Sequence, residues 1–235
     1  MQNIQISDLL LGFIPVIITL WFIFSWSLSL NKSLLAVFRM LIQLTLIGYA
    51  LNFIFSSHNA WIITLILCVM LLAASWISLN TLKVPTRNLF LYSLIAITIG
   101  GVFTLFIVTK GVLQVSPWYT PEITIPIASM IFSNAMNTIS LAAERFYSEY
   151  DHRPDYTHCR NTAFQASMIP VVNALLAVGL VSLPGMMTGQ ILSGVSPLIA
   201  ARYQIMVMLM VFGSSGIAAA VFLILVKKEI PPAQE

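Results

Sequence analysis

The chain has 235 residues, 59% of them hydrophobic and only 8% charged, against about 25% charged in ordinary soluble domains. That composition excludes a water-solvated globule, and the net charge of +3 lacks the clustered Lys/Arg patch of a nucleic-acid surface. The two cysteines, Cys68 in an apolar run and Cys159 in a polar stretch, indicate neither a disulfide nor a cysteine metal site.

Seven long apolar runs follow one another: 9–30, 34–55, 60–80, 89–109, 123–143, 164–183 and 203–226. Each has about 20 residues or more, the length a helix needs to cross a hydrocarbon core of about 30 Å. The expected fold is an all-α integral membrane protein, one membrane domain over 1–235 with seven transmembrane helices.

The first run has no basic n-region and no small-x-small cleavage site, so it reads as a retained helix rather than a signal peptide. The second carries Arg39, the only formal charge inside any run, with Gln43 four residues on and on the same face, and Asn52 beyond. Arg39 either snorkels to the cytoplasmic interface or marks an ion pair or pathway. Short connections, 56–59 and 81–88, bound the third run, and the fourth leads into a loop at 110–122 with Pro117 and Pro121.

In the fifth run Ser129, Ser133 and Asn137 form an i, i+4, i+8 stripe, with Asn134 three before Asn137. Such a stripe either hydrogen-bonds helices together or lines a substrate path. Asn173 in the sixth run invites the same two readings. Pro15, Pro126 and Pro170 lie inside runs and are expected to kink them. Gly216 and Ala220 in the seventh run form a small-xxx-small packing pair.

Two stretches break the pattern. The most polar piece, 144–160 (ERFYSEYDHRPDYTHCR), reads as a cytoplasmic loop. The other, 184–197 (PGMMTGQILSGVSP), holds two prolines and three glycines, which argue against a regular helix and for a re-entrant segment or outer loop. Within it Met186 and Met187 read as packing or as soft-metal ligands, and Gln190 as glue or path.

Orientation follows from charge. With seven spans, Lys32, Arg39, Lys83, Arg87, Arg145, Arg153, Arg160, Lys227 and Lys228 share one side, and only Lys110 and Arg202 fall on the other. The positive-inside rule places the first set in the cytoplasm, the N-terminus outside and the C-terminus inside. No Asp or Glu sits in the core of a run, which weakens an ion-coupled carrier. His58, His152 and His158 lack the spacing of a metal site, no P-loop is present for ATP, and no internal repeat suggests an inverted-repeat transporter.

The stretch 178–208, VGLVSLPGMMTGQILSGVSPLIAARYQIMVM, resembles the signature of the FetB-type (UPF0014-like) ABC permeases, linked to bacterial iron export and metal resistance and to plant aluminium tolerance. Arg39, Gln43, Leu44 and Gly48 fit an R-x-x-x-Q-L-x-x-x-G pattern, and 125–137 (IPIASMIFSNAMN) and Ile169–Pro170 with Asn173 fit too, so the resemblance covers nearly the whole chain. It implies a multi-pass permease of the bacterial inner membrane, paired with a second copy of itself and with a separate cytoplasmic ATPase that supplies ATP and Mg. The chain itself would be no enzyme, hold no cofactor and export iron or another metal species. Many relatives carry a longer stretch between spans five and six than 144–160 provides. By position alone, Arg145, Tyr147, Glu149, Tyr150, Asp151 and Arg153 are the expected ATPase-docking residues, the alternative being a solvated linker. The expected path residues are Arg39, Gln43, Ser133, Asn134, Asn137, Asn173, Met186, Met187 and Gln190. The competing function is an ion-coupled secondary carrier or channel acting without an ATPase; a membrane-embedded enzyme lacks a nucleophile–base pair.

Overall fold

The computed structural model describes residues 10–55, 59–82 and 86–229. His58, Lys83 and the side chain of Asn52 lie outside the described residues. The chain divides after residue 57 into two units. The first holds α1 (Phe13–Ser25) and α2 (Leu30–Phe55), which pack together. Run 9–30 does not continue as one helix: the chain turns after Trp26, Ser27 adopts φ 57, and Leu28 N–H donates to Ile23 O at 3.0 Å.

The second unit contains α3 (Ala60–Ile77), α4 (Arg87–Val112), α5 (Pro121–Tyr150), α6 (Tyr156–Ala177), α7 (Gly185–Leu192) and α8 (Pro197–Val226), the last extended by a 3-10 turn, Lys227–Glu229. The caps explain the boundaries. Asn59 accepts from Trp61 N–H at 2.9 Å and Thr86 from Leu89 N–H at 3.3 Å, satisfying orphan donors at the starts of α3 and α4. Pro121 and Pro197 stand in the first turns of α5 and α8, where a missing N–H is harmless.

Among the described residues, five helices are long and apolar enough to cross a membrane: α2, α3, α4, α5 and α8. The all-helical membrane architecture is as expected, and three boundaries differ. α6 spans Tyr156–Ala177 rather than 164–183, because Asp155 caps it early, accepting from Thr157 and His158 N–H at 3.0 and 3.3 Å. It stops where Gly179 takes φ +82, the left-handed residue that ends many helices. Between α5 and α6 only 151–155 is non-helical, so 144–160 is two helix ends and a tight turn rather than a loop. The 184–197 segment contains a two-turn helix after all. Its prolines bound the helix instead of breaking it, Pro184 at the N-cap of α7 and Pro197 opening α8, while Gly194, at φ +90, turns the chain between them.

α5 and α8 form the centre of this unit: α5 packs against α3, α6 and α8, and α8 against α4, α6 and α7. Thr124, Ala128, Ile131, Ala135, Thr138, Ala142 and Phe146, spaced by three or four residues along one face, are all buried. This is the heptad seam of α5, where small residues let backbones approach. α4 meets α8 more closely still. A Cβ added at Gly100 would stand 2.8 Å from both Ala218 N and Ser214 O. Gly100 lies in a π-helical stretch, Thr98–Val102, and a second one, Ile107–Val112, closes α4. Such bulges widen the helix locally and recur at functional sites.

Candidate translocation path and docking surface

Opposite the heptad seam, α5 carries a second stripe. Ser133, Asn137, Leu141, Glu144 and Ser148 lie on one face and are exposed. Four of the five are polar. Ser129 and Ser133 hydroxyls donate back to Pro126 O and Met130 O, and Asn134 Nδ2 donates to Met130 O at 2.8 Å. These back-bonds quiet the upper stripe within its own helix. Asn137 makes no side-chain hydrogen bond among the described residues, so its amide faces outward unsatisfied.

The remaining expected path residues scatter. Asn173 is exposed on α6, and no hydrogen bond among the described residues joins it to Asn134, Asn137 or Gln190. Arg39 and Gln43 share the exposed surface of α2 in the first unit. Met186, Met187 and Gln190 are half-buried on α7. Met186 packs on the core, whereas Met187 lines a cavity of about 350 Å³ together with Leu175, Val178, Gln204 and Met208.

That cavity exposes a residue the sequence reading passed over. Gln204 is 6% exposed and has no side-chain hydrogen bond among the described residues, although it lines an otherwise apolar space. The buried side-chain atoms left without a partner among the described residues are Gln190 Oε1 and Ser215 Oγ, whereas Gln204 lines the cavity. Unpaired buried amides are rare because each loses hydration without compensation, at about 1–3 kcal/mol. The signal was available: Gln204 is the centre of Tyr203-Gln204-Ile205, part of the stretch that carried the resemblance.

At the other end, the α5–α6 hairpin is braced. Arg145 Nη2 meets Glu149 Oε2 at 2.9 Å, and Glu149 Oε1 lies 3.4 Å from His158 Nε2 across the turn. Phe146, fully buried, stacks on Tyr150 at 6.0 Å and meets Tyr147 and Tyr156 edge-on. Tyr147 lines an open cleft of about 550 Å³ together with Glu144, Ser148 and Asp151. The six expected docking residues therefore divide by role. Arg145, Tyr147, Glu149 and Tyr150 hold the hairpin, while Asp151 and Arg153 are exposed at its tip, where Arg153 approaches Asp155 only at 3.8 Å. Among the described residues no group of three or more His, Cys, Asp or Glu is placed to hold a metal ion.

Comparison with known proteins matches residues 6–230 to the model of an uncharacterised protein family, UPF0014. A UPF0014 membrane protein of Synechocystis is 36% identical over 74% of this chain and 73% of its own. The probable iron export permease protein FetB of Escherichia coli is 33% identical over 94% of this chain and 90% of its own. The Arabidopsis thaliana protein ALUMINUM SENSITIVE 3 is 31% identical over 87% and 80%. No solved structure matches. The resemblance read from 178–208 is thus borne out over nearly the whole length, and the chain belongs to the UPF0014 family of membrane proteins.

Proposed function

We propose that this chain is the transmembrane permease subunit of an ABC transporter that exports iron or another metal species across the bacterial inner membrane. Two copies pair in the bilayer, and a separate ATPase binding ATP and Mg docks on the cytoplasmic ends of the helices. The observation that carries the reading is the second stripe of α5. A helix buried along one seam and polar along the other cannot present the unpaired amide of Asn137 to lipid, where unsatisfied polar groups cost several kcal/mol. That face belongs against water or another protein, as a path between two copies provides. The name of the Escherichia coli relative supplies the direction and the cargo class.

The topology that fits is seven spans, with α1 and α6 joining the five long helices, the N-terminus outside and the hairpin tip inside. α6 has 22 residues, polar in its first half and apolar toward Ala177, and nine of the eleven Lys/Arg residues then face the cytoplasm. Cycles of ATPase closure push on Asp151 and Arg153, and the braced hairpin passes the motion to α5 and α6. Along the path Ser133, Asn134, Asn137 and Asn173 offer amides and hydroxyls, with Met186, Met187 and Gln190 at the outer end. A bare aqueous cation asks for carboxylate, imidazole or thiolate ligands, so this donor set suits a chelated metal better.

Proteoliposomes holding this chain and its ATPase, with ATP on one side, should move chelated iron only when nucleotide is hydrolysed. Full transport by the chain alone would establish the secondary-carrier alternative instead. Labelling of His152→Cys by a membrane-impermeant thiol reagent from the cytoplasmic side only is the matching topology result; labelling from outside would invert the scheme.

A further inference from the structure

Between α6 and α8, at the hairpin end, runs an open groove of about 480 Å³. Its length is apolar, formed by Phe164 from α6 and Ala220, Leu223 and Ile224 from α8, and its mouth is polar, at Arg160 and Gln165. Tyr156 organises that mouth. Its hydroxyl donates to Leu223 O at 3.1 Å, which fixes the ring in the crevice between the two helices. Arg160 Cζ lies 5.7 Å from the centre of this ring and Lys227 Nζ 5.4 Å from the same centre. One aromatic ring thus gathers two cations from two helices by cation–π attraction.

Those cations have no acid to neutralise them among the described residues. The ion pairs found there join Arg145 to Glu149, Arg153 to Asp155 and His158 to Glu149. Arg160 spends Nε and Nη2 on one neutral acceptor, Asn161 Oδ1, at 3.1 and 2.9 Å. Two like charges held on one ring beside an apolar channel form an unfilled complement for a molecule with an anionic head and a hydrocarbon tail.

We infer that this groove binds an anionic phospholipid of the cytoplasmic leaflet, its phosphate between Arg160 and Lys227 and one acyl chain along Phe164, Ala220 and Ile224. The inference rests on the orientation proposed above, which sets the mouth at the level of the inner headgroups. Basic pockets between transmembrane helices on that side favour anionic lipids, each cation near the surface contributing about 1 kcal/mol. Charge complementarity selects this occupant over a second copy of the chain, whose apolar helix face would leave both cations bare. The bound lipid would tie α6 to α8 beside the hairpin and make its stability depend on headgroup charge.

The test is native mass spectrometry of the full chain exchanged into phosphatidylglycerol or phosphatidylcholine. Wild type is expected to retain phosphatidylglycerol with a preference of about tenfold or more, falling at least about tenfold in Arg160→Ala/Lys227→Ala. Ala220→Trp, which fills the apolar half and keeps both cations, is expected to lose the adduct as well. Equal retention of the two lipids by wild type, or an undiminished preference in the double variant, overturns the inference. If the double variant does not fold, Arg160→Gln and Ala220→Trp carry the same comparison. Disulfide cross-linking of Ala220→Cys between two copies in native membranes would also overturn it, because the groove would then be a protein interface. Labelling of His152→Cys reports the orientation separately, so a failure of the lipid site and a failure of the topology give different results.

Discussion

The two ends of the second unit are built on opposite principles. At the hairpin end, Glu149 holds Arg145 and His158, Phe146 sits among three tyrosines, and Tyr156 bonds across to α8. At the other end, 178–197 is held mainly by backbone turns, two glycines take left-handed angles, Gln190 Oε1 is buried without a partner and Gln204 faces a cavity. Ion pairs, stacking and side-chain bonds rigidify, whereas a segment held by backbone turns, with a buried polar atom left unpaired, can change its packing at smaller cost. On the function proposed above, that asymmetry supplies a stiff end to receive force and a yielding end to open.

Removing the brace should have the largest effect. Phe146→Ala empties a fully buried site and is expected to cost about 3–5 kcal/mol, read as a large fall in thermal midpoint in detergent. Leu180→Ala, at a position 89% exposed, should change the midpoint by less than about 0.5 kcal/mol. Equal losses would erase the contrast between the ends.

Midway between them, Gly100→Ala places a methyl 2.8 Å from two backbone atoms of α8, which cannot yield as a side chain would. A loss of about 1–3 kcal/mol is expected, with Gly48→Ala, where nothing lies within 4 Å, as the control. Gln204→Leu should do the reverse of the brace mutations. Replacing an unpaired amide in an apolar cavity is expected to raise stability by about 1 kcal/mol while transport falls, measured by thermal shift and flux in the same preparation. A gain in stability with unchanged flux would make Gln204 a packing defect and nothing more. The smallest effect belongs to Glu149→Gln. Half-exposed ion pairs of this kind contribute about 1 kcal/mol or less, so ATPase coupling should survive it, whereas Asp151→Lys/Arg153→Glu at the exposed tip should abolish coupling with insertion unchanged.

Much of the architecture was legible in the chain. Apolar length gave the helices of α2 to α5 and α8, since a bilayer demands about 20 apolar residues whatever surrounds them. The polar stretch 144–160 was legible as the break between two helices, but not how far each helix runs into it, because composition reports solvation and a helix end can be as polar as a linker. The proline and glycine of 184–197 were read as breakers, yet at N-cap, first-turn and left-handed positions the same residues delimit a helix. Ser133 and Asn137 were legible as a stripe by their spacing, but whether that stripe packed or faced outward was not.

What the sequence determined by itself was solvent and element: which segments prefer hydrocarbon and which become helices. Those follow from local chemistry, one residue at a time. Only the tertiary structure decided which face of α5 is core, that Gly100 is a contact point between helices, that Gln204 meets a void and that Tyr156 gathers Arg160 and Lys227. Each depends on residues far apart in the chain arriving together, and no local property of either partner encodes the meeting.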